Sequence, residues 1–303
     1  MRAPLMTKGR MIGLCAPSHV ADRGEYASII AAIESKTGFQ VLEADHLYKN
    51  TCGYLATPEE RAADFNQLIA DKRVGMVLFG GGEGGNELLP LIDFENIRRN
   101  PKIICSYSDG TTILDCVWAK TGLETYYGQA PHIFSGLTDY DYRQFFRSFV
   151  EGGVHEHVAN SRWRPQTPGV GKGVLIGGYA RNFAMLLGNR YFPLDPEADS
   201  ILFLEDHERF GGVDYVSAML SHIEQFDLID HVRGLLFGNY SDTPNPELLA
   251  RIGRFGEAHG IPTAYCDDFG HGRNHAVLPI GRTAEFDSEK ARLVFDGTDV
   301  RQA

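Results

Sequence analysis

Short apolar runs alternate with longer amphipathic segments through roughly the first 135 residues. The run "RMIGLCAP" predicts a buried strand and "EYASIIAAIESKTG" a helix that ends at Gly38. A second strand, "FQVLEAD", precedes a helix for which Thr57 is the cap and Pro58 the first residue. The apolar runs "VGMVLFGG" and "PKIICSYSD" predict two further strands. Strands separated by helices with short connections predict a parallel sheet covered on both faces.

The alternation becomes less regular in residues 151–172, where proline and glycine accumulate, and we predict a linker there. Strand-like and helix-like runs resume afterwards with "SILFLED", "VDYVSAMLSHIEQF", "VRGLLFGNY" and "PELLARIGRFGEAHG". The final stretch, "AVLPIGRTAEFDSEKARLVFD", alternates in the way that paired strands do. The pattern therefore predicts an α/β protein with an N-terminal domain at 1–150 and a C-terminal domain at 173–303.

Composition limits the classes of protein that fit. A chain of 303 residues with 43% hydrophobic and 23% charged residues is typical of a soluble globular protein with room for two cores. The net charge of −11 argues against a nucleic-acid polymer or an anionic membrane as partner. We see no signal peptide, and "MIGLCAP" is too short to cross a membrane. Five scattered cysteines without a CxxC pair favour reduced thiols, so we expect a cytoplasmic protein without a disulfide framework or zinc site.

The glycine run "VLFGGGEGGNELLP" fits the spacing GxGxxG through Gly80, Gly82 and Gly85, which makes a dinucleotide site one hypothesis. The run follows the third strand rather than the first, and Pro90 interrupts the helix after it. No P-loop lysine is present. A glycine-rich turn also exposes backbone N–H groups that suit an oxyanion, and we favour that interpretation.

The turn "SYSDG" follows an apolar strand and precedes a helix. It nearly matches the nucleophile-elbow pattern GxSxG, with Ser108 as the central serine and Ser106 in place of the first glycine. A tight elbow exposes a serine hydroxyl and aims a helix N-terminus at developing negative charge. The competing hypothesis is a helix N-cap supplied by Ser108 or Asp109, and the turn taken alone favours that cap.

Two later loops carry the other groups that a serine nucleophile requires. The strand "SILFLED" ends on Glu205, and "FGHGRNH" places His271 between two glycines. His271 and His275 have the i, i+4 spacing of metal ligands, but the surrounding glycines and Pro279 argue against a helix there. The order Ser, Glu, His is that of many α/β acyl-transfer enzymes, and together the three loops favour catalysis over turn formation.

The motifs "GGGEGGNELLP", "PKIICSYSD", "ILFLED" and "FGHGRNHAVLPIG" occur in one order along nearly the whole chain. In this set the sequence resembles the LD-carboxypeptidase family of serine peptidases, which includes the microcin C self-immunity peptidases. The resemblance implies an N-terminal Rossmann-like domain, a C-terminal mixed α/β domain and an active site at their junction. It also implies a homodimer that needs neither cofactor nor metal.

By the same resemblance, Ser108 is the nucleophile, His271 the general base and Glu205 the acid that orients the histidine. The backbone N–H of Asp109, with one from the turn containing Gly82 and Glu83, would form the oxyanion hole. The implied reaction releases terminal D-alanine from the L,D-linked tetrapeptide of muropeptides. The alternative is the microcin-type cleavage of an amide joining an aminoacyl group to a modified nucleotide, so the expected substrate is a small peptide or a peptidyl-nucleotide.

The chain departs from the family pattern at four places: Ser106, Tyr127, Tyr179 and Ser217–Ala218. None of them alters the predicted nucleophile, acid or base, so they bear on substrate rather than on reaction type. Trp163 would suit a base or sugar, although a buried tryptophan that packs the linker is the favoured interpretation.

Overall fold

The computed structural model describes residues 1–195 and 197–297, so the last six residues of the predicted second domain, 298–303, lie outside the described part. The strands follow in chain order: β1 (Met11–Cys15), β2 (Val41–Glu43), β3 (Val74–Phe79), β4 (Ile103–Ser106), β5 (Thr125–Tyr127), β6 (Arg164–Thr167), β7 (Val170–Tyr179), β8 (Ser200–Glu205), β9 (Val232–Asn239), β10 (Thr263–Gly270), β11 (Leu278–Ile280), β12 (Thr283–Asp287) and β13 (Arg292–Phe295).

The α-helices alternate with these strands, as the pattern predicts. They are α1 (Arg23–Thr37), α2 (Pro58–Ala70), α3 (Gly85–Leu88), α4 (Phe94–Arg99), α5 (Thr111–Thr121), α6 (Asp139–Phe146), α7 (Ala180–Leu186), α8 (Val213–Ile223) and α9 (Pro246–His259). Local sequence accounts for several of their ends. Helix α2 begins with a capping box between Thr57 and Glu60, and α1 ends at Gly38 in a left-handed conformation.

The first sheet has the strand order β11-β5-β4-β3-β1-β2. Strands β1 to β5 pair in parallel, and β11 joins the edge antiparallel to β5. Every residue of β4 is buried, as is every residue of β3 except one, so both faces of these central strands are covered. The predicted parallel sheet of the N-terminal half is confirmed.

The second sheet has the order β13-β12-β7-β8-β9-β10-β6. Its four central strands, β7 to β10, are parallel, whereas β6, β12 and β13 pair antiparallel. The sheet is therefore mixed, and the two-part α/β architecture is the one expected from the sequence.

The structure differs from the predicted linker in detail. Within 151–172, β6 and the first residues of β7 are strands of the second sheet. Conversely β11, far into the C-terminal half, completes the first sheet. The division at 1–150, 151–172 and 173–303 therefore stays a prediction, and chain segments of both halves contribute to the first sheet.

The two sheets meet where their strands end. Thr111, the first residue of α5, accepts a hydrogen bond at 2.9 Å from the backbone N–H of Tyr179 at the end of β7. Strand β4 ends just before Ser108, β8 ends at Glu205, and β10 ends just before His271. Ligands of open α/β sheets bind at the carboxyl ends of strands, so this junction is the expected place for a site.

Candidate active site

Ser108 occupies a sharp turn between β4 and α5. Its φ is +55°, in the left-handed region that non-glycine residues rarely adopt, and such backbone strain is typical of a nucleophile elbow. The Ser106 hydroxyl donates to the carbonyl of Phe79 at 2.8 Å, which joins the end of β4 to β3. A side chain at Gly110 would come within 2.1 Å of that hydroxyl, so glycine at this position makes room for Ser106.

The N-cap alternative for this turn is wrong. Helix α5 has no side-chain cap, and Ser108 makes no capping hydrogen bond. The carboxylate of Asp109 turns toward the glycine run instead, where it accepts from the N–H of Gly85 at 2.8 Å. Its other oxygen accepts from the Asn182 amide at 2.6 Å. Asp109 therefore fixes the elbow against both the glycine run and α7.

The structure brings the three predicted residues into one line of hydrogen bonds. The Ser108 Oγ lies 3.0 Å from His271 Nε2, and His271 Nδ1 lies 2.8 Å from Glu205 Oε2. Glu205 is fully buried and Ser108 and His271 nearly so. Gly270, at φ +104°, allows the close approach, because a Cβ there would lie 3.0 Å from the Glu205 carboxylate. This is the geometry that a serine nucleophile, a general base and an orienting acid require.

Two opposed effects set the pKa of His271. Burial lowers it, but the Glu205 carboxylate, assisted by the charge of Asp206, raises it by more, so that the net pKa is above the ordinary value. Burial raises the pKa of Asp206 itself to about 6. Asp206 accepts a hydrogen bond from the His207 backbone N–H at 2.7 Å, and it follows Glu205 directly in the chain.

Tyr127 is part of the same network, a role that the sequence did not reveal. Its hydroxyl accepts from the Ser108 backbone N–H at 3.0 Å and donates to Glu205 Oε1. The sequence identified Tyr127 only as a departure from the family pattern. Its position in the first sheet, facing an acid from the second sheet, is visible only in three dimensions.

The glycine run packs against Ser108. A Cβ at Gly81 would lie 2.6 Å from that of Ser108, so any side chain there would displace the serine. Gly82 has φ +135°, and a Cβ would lie 2.1 Å from the Ser18 carbonyl oxygen. The Glu83 N–H donates to that same carbonyl at 2.8 Å. Glu83 is therefore unsuited to the predicted oxyanion role, because its N–H is already used.

A buried arginine holds this loop from behind. Arg61 donates to the carbonyl oxygens of Ala56, Pro17 and Gly84 and pairs with Glu87. Arg61 is buried within α2, and nothing in the sequence around it indicates that it contacts this loop. The loop conformation thus depends on a residue more than twenty positions away in the chain.

Aromatic rings and one cation surround His271 at the mouth of the site. The rings of Tyr107, Tyr179 and Phe210 lie 5.0, 5.3 and 4.9 Å from the imidazole, and Phe210 is 48% exposed. Arg209 is exposed and donates through Nη2 to the His271 carbonyl at 3.2 Å. The mouth therefore offers apolar surface beside a positive charge.

The other predicted sites have structural explanations. His275 pairs with Asp141 and not with His271. The described residues contain no group of three or more side chains that could together bind a metal ion. Trp163 is buried and donates through Nε1 to Asp268 at 2.9 Å, which is the interpretation that the sequence favoured. In the described chain no helix has the length and apolarity needed to span a membrane.

Comparison with known proteins identifies the family to which the chain belongs. Residues 12–128 match the LD-carboxypeptidase N-terminal domain and residues 172–286 the LD-carboxypeptidase C-terminal domain. A putative carboxypeptidase of Treponema pallidum is 31% identical in an alignment of 274 positions that covers 80% of this chain and 79% of the relative. The fold and these matches define a serine peptidase of α/β architecture. The chain belongs to the LD-carboxypeptidase family.

The names of its relatives include two different activities. A probable murein peptide carboxypeptidase of Bacillus subtilis is 32% identical over 66% of this chain and 63% of its own. The microcin C7 self-immunity protein MccF of Escherichia coli is 28% identical over 79% and 78%. Among solved structures, an MccF-like protein from Bacillus anthracis superposes with a TM-score of 0.89 at 23% identity, covering 98% of this chain and 100% of that one. Muramoyltetrapeptide carboxypeptidase from Oxalobacter formigenes gives 0.78 at 20%, covering 94% and 100%. The superpositions establish the fold.

Proposed function

We propose that the chain hydrolyses an amide by acyl transfer through Ser108. The unbroken hydrogen-bond line from Ser108 through His271 to Glu205 is the observation that supports this proposal. His271 takes the hydroxyl proton as the serine oxygen attacks the amide carbonyl, then delivers it to the departing amine. Water repeats the sequence on the resulting ester, releasing the acid and restoring the serine. Glu205 holds the imidazole in the tautomer that leaves Nε2 free to accept.

The N–H groups of Asp109 and Gly82 are the proposed oxyanion donors. In the part of the chain that the structure describes, neither donates to another protein group. Asp109 follows the nucleophile directly, and Gly82 follows Gly81, which lies against Ser108. Removing one such donor typically costs about 10²- to 10³-fold in rate.

The proposed substrate is a short peptide with a free C-terminal carboxylate, specifically the L,D-linked tetrapeptide of muropeptides, from which terminal D-alanine is released. Arg209 supports it. An exposed guanidinium beside His271 is a local positive charge in a chain of net charge −11, and those of its N–H groups that do not donate to His207 or to the His271 carbonyl suit a carboxylate. The name of the Bacillus subtilis relative points the same way.

The second candidate is the microcin-type amidase, which cleaves an aminoacyl group from a modified nucleotide. The relation to MccF and the exposed ring of Phe210 beside His271 favour it, because an aromatic face can stack on a base. Trp163, which the sequence offered for the same purpose, is buried and bonded to Asp268. Phe210 is therefore the residue on which this candidate depends.

A matched assay separates the candidates. Wild type and Ser108→Ala are incubated with an L,D-muropeptide tetrapeptide and with an aminoacyl-sulfamoyl adenosine, and the products are followed by mass spectrometry. Ser108-dependent loss of D-alanine supports the carboxypeptidase. Cleavage of the nucleotide conjugate alone supports the second candidate, and no Ser108-dependent product from either substrate argues against both.

A variant of Arg209 tests the carboxylate contact directly. Arg209→Gln is compared with wild type on the tetrapeptide and on the same peptide with a C-terminal amide. We expect KM to rise for the free acid and to change little for the amide, since only the acid carries the charge that the guanidinium binds. An equal change for both peptides would contradict this role.

A further inference from the structure

Tyr127 ends β5 in the first sheet, and its side chain is completely buried. The directions of its two hydrogen bonds follow from chemistry. The Ser108 backbone N–H is only a donor, so the phenol oxygen accepts from it at 3.0 Å. The single phenol proton then goes to Glu205 Oε1. One hydroxyl thus contacts both the nucleophile's backbone and the acid.

The surroundings fix the ring in place. Tyr127 pairs with Ser106 of β4 on one side and with Leu278 of β11 on the other. Its ring lies 5.5 Å from that of Phe203. Burial, followed by the charge of Glu205, raises the pKa of the phenol well above its ordinary value, so the hydroxyl keeps its proton at neutral pH.

We infer that Tyr127 is a positioning residue, which joins Glu205 of the second sheet to the Ser108 elbow of the first. The inference rests on the proposed function, because it assigns a task within that reaction. Glu205 has two buried oxygens, of which His271 uses one, and Tyr127 satisfies the other. The same hydroxyl holds the N–H of a serine whose φ of +55° is strained. Losing it releases both ends of the hydrogen-bond line.

The test measures the reactivity of Ser108 without a natural substrate. Wild type and Tyr127→Phe are labelled with a fluorophosphonate probe across a range of pH, and labelling is followed by intact mass. Phenylalanine keeps the ring and removes only the hydroxyl. We expect the limiting labelling rate to fall about 10- to 100-fold, the scale of effect of a small misplacement of reacting groups.

The pH profile gives a readout that simple loss of packing would not change. Without the phenol's hydrogen bond, the charge of Glu205 raises the pKa of His271 further. The acid limb of the pH profile, where labelling falls as His271 takes up a proton, should therefore have its midpoint at higher pH. The other groups around His271 are the same in both proteins: Asp206, His207, Arg209, His132, Tyr107, Tyr179 and Phe210.

Tyr126→Phe is the matched control. Tyr126 precedes Tyr127 in the same strand, is also buried, and has a hydrogen bond with the buried carboxylate of Glu124. Its loss should lower the Tm in the same way, yet leave the labelling rate and the acid limb at wild-type values. A control that slows labelling as much as Tyr127→Phe would overturn the inference.

A second variant keeps the test decisive if Tyr127→Phe does not fold. With 3-fluorotyrosine at position 127 the hydroxyl is retained but is a stronger donor, so the acid limb should move to lower pH. An unmoved limb overturns the inference. If wild type labels normally and Tyr127→Phe is unaffected, only this inference is overturned. If wild type does not label at Ser108, the proposed function is overturned together with the inference.

Discussion

The protonation of His271, the proposed general base, sets the pH dependence that we expect at the level of single residues. The general base must be neutral, and the net effect of burial and of the Glu205 charge is to raise its pKa above 6.5. We therefore expect kcat/KM to fall as pH decreases, with the midpoint of the acid limb above 6.5. A pH–rate profile on any cleaved substrate measures it, and a midpoint below that value would show that burial outweighs the carboxylate.

Asp206 offers a second residue-level prediction. Its negative charge raises the pKa of His271, so Asp206→Asn should move the acid limb to lower pH. Asparagine retains the oxygen that accepts from the His207 N–H, which preserves the loop. The pH–rate profile of the variant measures the shift. Asp214→Asn, in the first turn of α8, is the control for a general loss of charge and should leave the limb unchanged.

The sequence identified residues whose role depends on local context and missed those whose role depends on distant partners. Ser108 and His271 follow strands in distinctive turns, and Glu205 is the last residue of a buried strand, so each carries a local signal. Tyr127 has a hydrogen bond with Glu205, 78 positions away, and Asn182 has one with Asp109, 73 positions away. Nothing in their neighbourhoods announces these contacts.

At the level of elements, the loop after β3 depends on the absence of a side chain at Gly82. Alanine there would bring a Cβ within 2.1 Å of the Ser18 carbonyl oxygen and would also strain φ. Gly82→Ala should therefore displace a proposed oxyanion donor and slow the reaction about 10²-fold or more. Steady-state kinetics at matched folded concentration measures the loss.

Gly53→Ala is the control for that prediction. Gly53 also has a positive φ, +85°, but no atom lies within 4 Å of the added Cβ. It should lose about 1–2 kcal/mol of folding free energy from backbone strain and keep its rate. Equal rates for the two variants would mean that the loop tolerates displacement without loss of catalysis.

Elements were predictable where the pattern is long and strong. Helices α2 and α9 and the buried strands β3, β4 and β8 follow directly from apolar runs and caps. The sequence predicts linker in place of β6, because the four residues of this strand contain Pro165 and pair with a strand almost a hundred positions away. Strand β11 has three residues, including Pro279, and only its partner β5 defines its sheet.

At the level of the whole molecule, the candidate site exists only where the two sheets meet. Ser108 and Tyr127 come from the first sheet, and Glu205 and His271 from the second, so the relative position of the sheets sets the critical distances.

The homodimer implied by family resemblance stays a prediction. Sedimentation equilibrium tests it, and a monomer at micromolar concentration would contradict it.

A buried ion pair holds the sheets together away from the site. Arg282, just before β12, makes a two-pronged contact with Glu124, just before β5, and also donates to the Val154 carbonyl. Both side chains are almost completely buried, while Arg2 adds a second contact to Glu124 at 3.2 Å. The ion pair therefore joins the segment before β5 in the first sheet to the segment before β12 in the second.

Arg282→Met should cost about 3–5 kcal/mol of folding free energy, because the buried Glu124 carboxylate loses its main partner. Glu124→Leu combined with Arg282→Met removes both charges and should regain most of that loss. Denaturant unfolding measures the two values. Activity per folded molecule should be unchanged in both, since neither residue contacts Ser108, Glu205 or His271.

If the double variant is as unstable as the single one, Arg282 contributes packing rather than compensation of the Glu124 charge. A loss of activity in fully folded protein would show that the ion pair also sets the distance between the two sheets at the site.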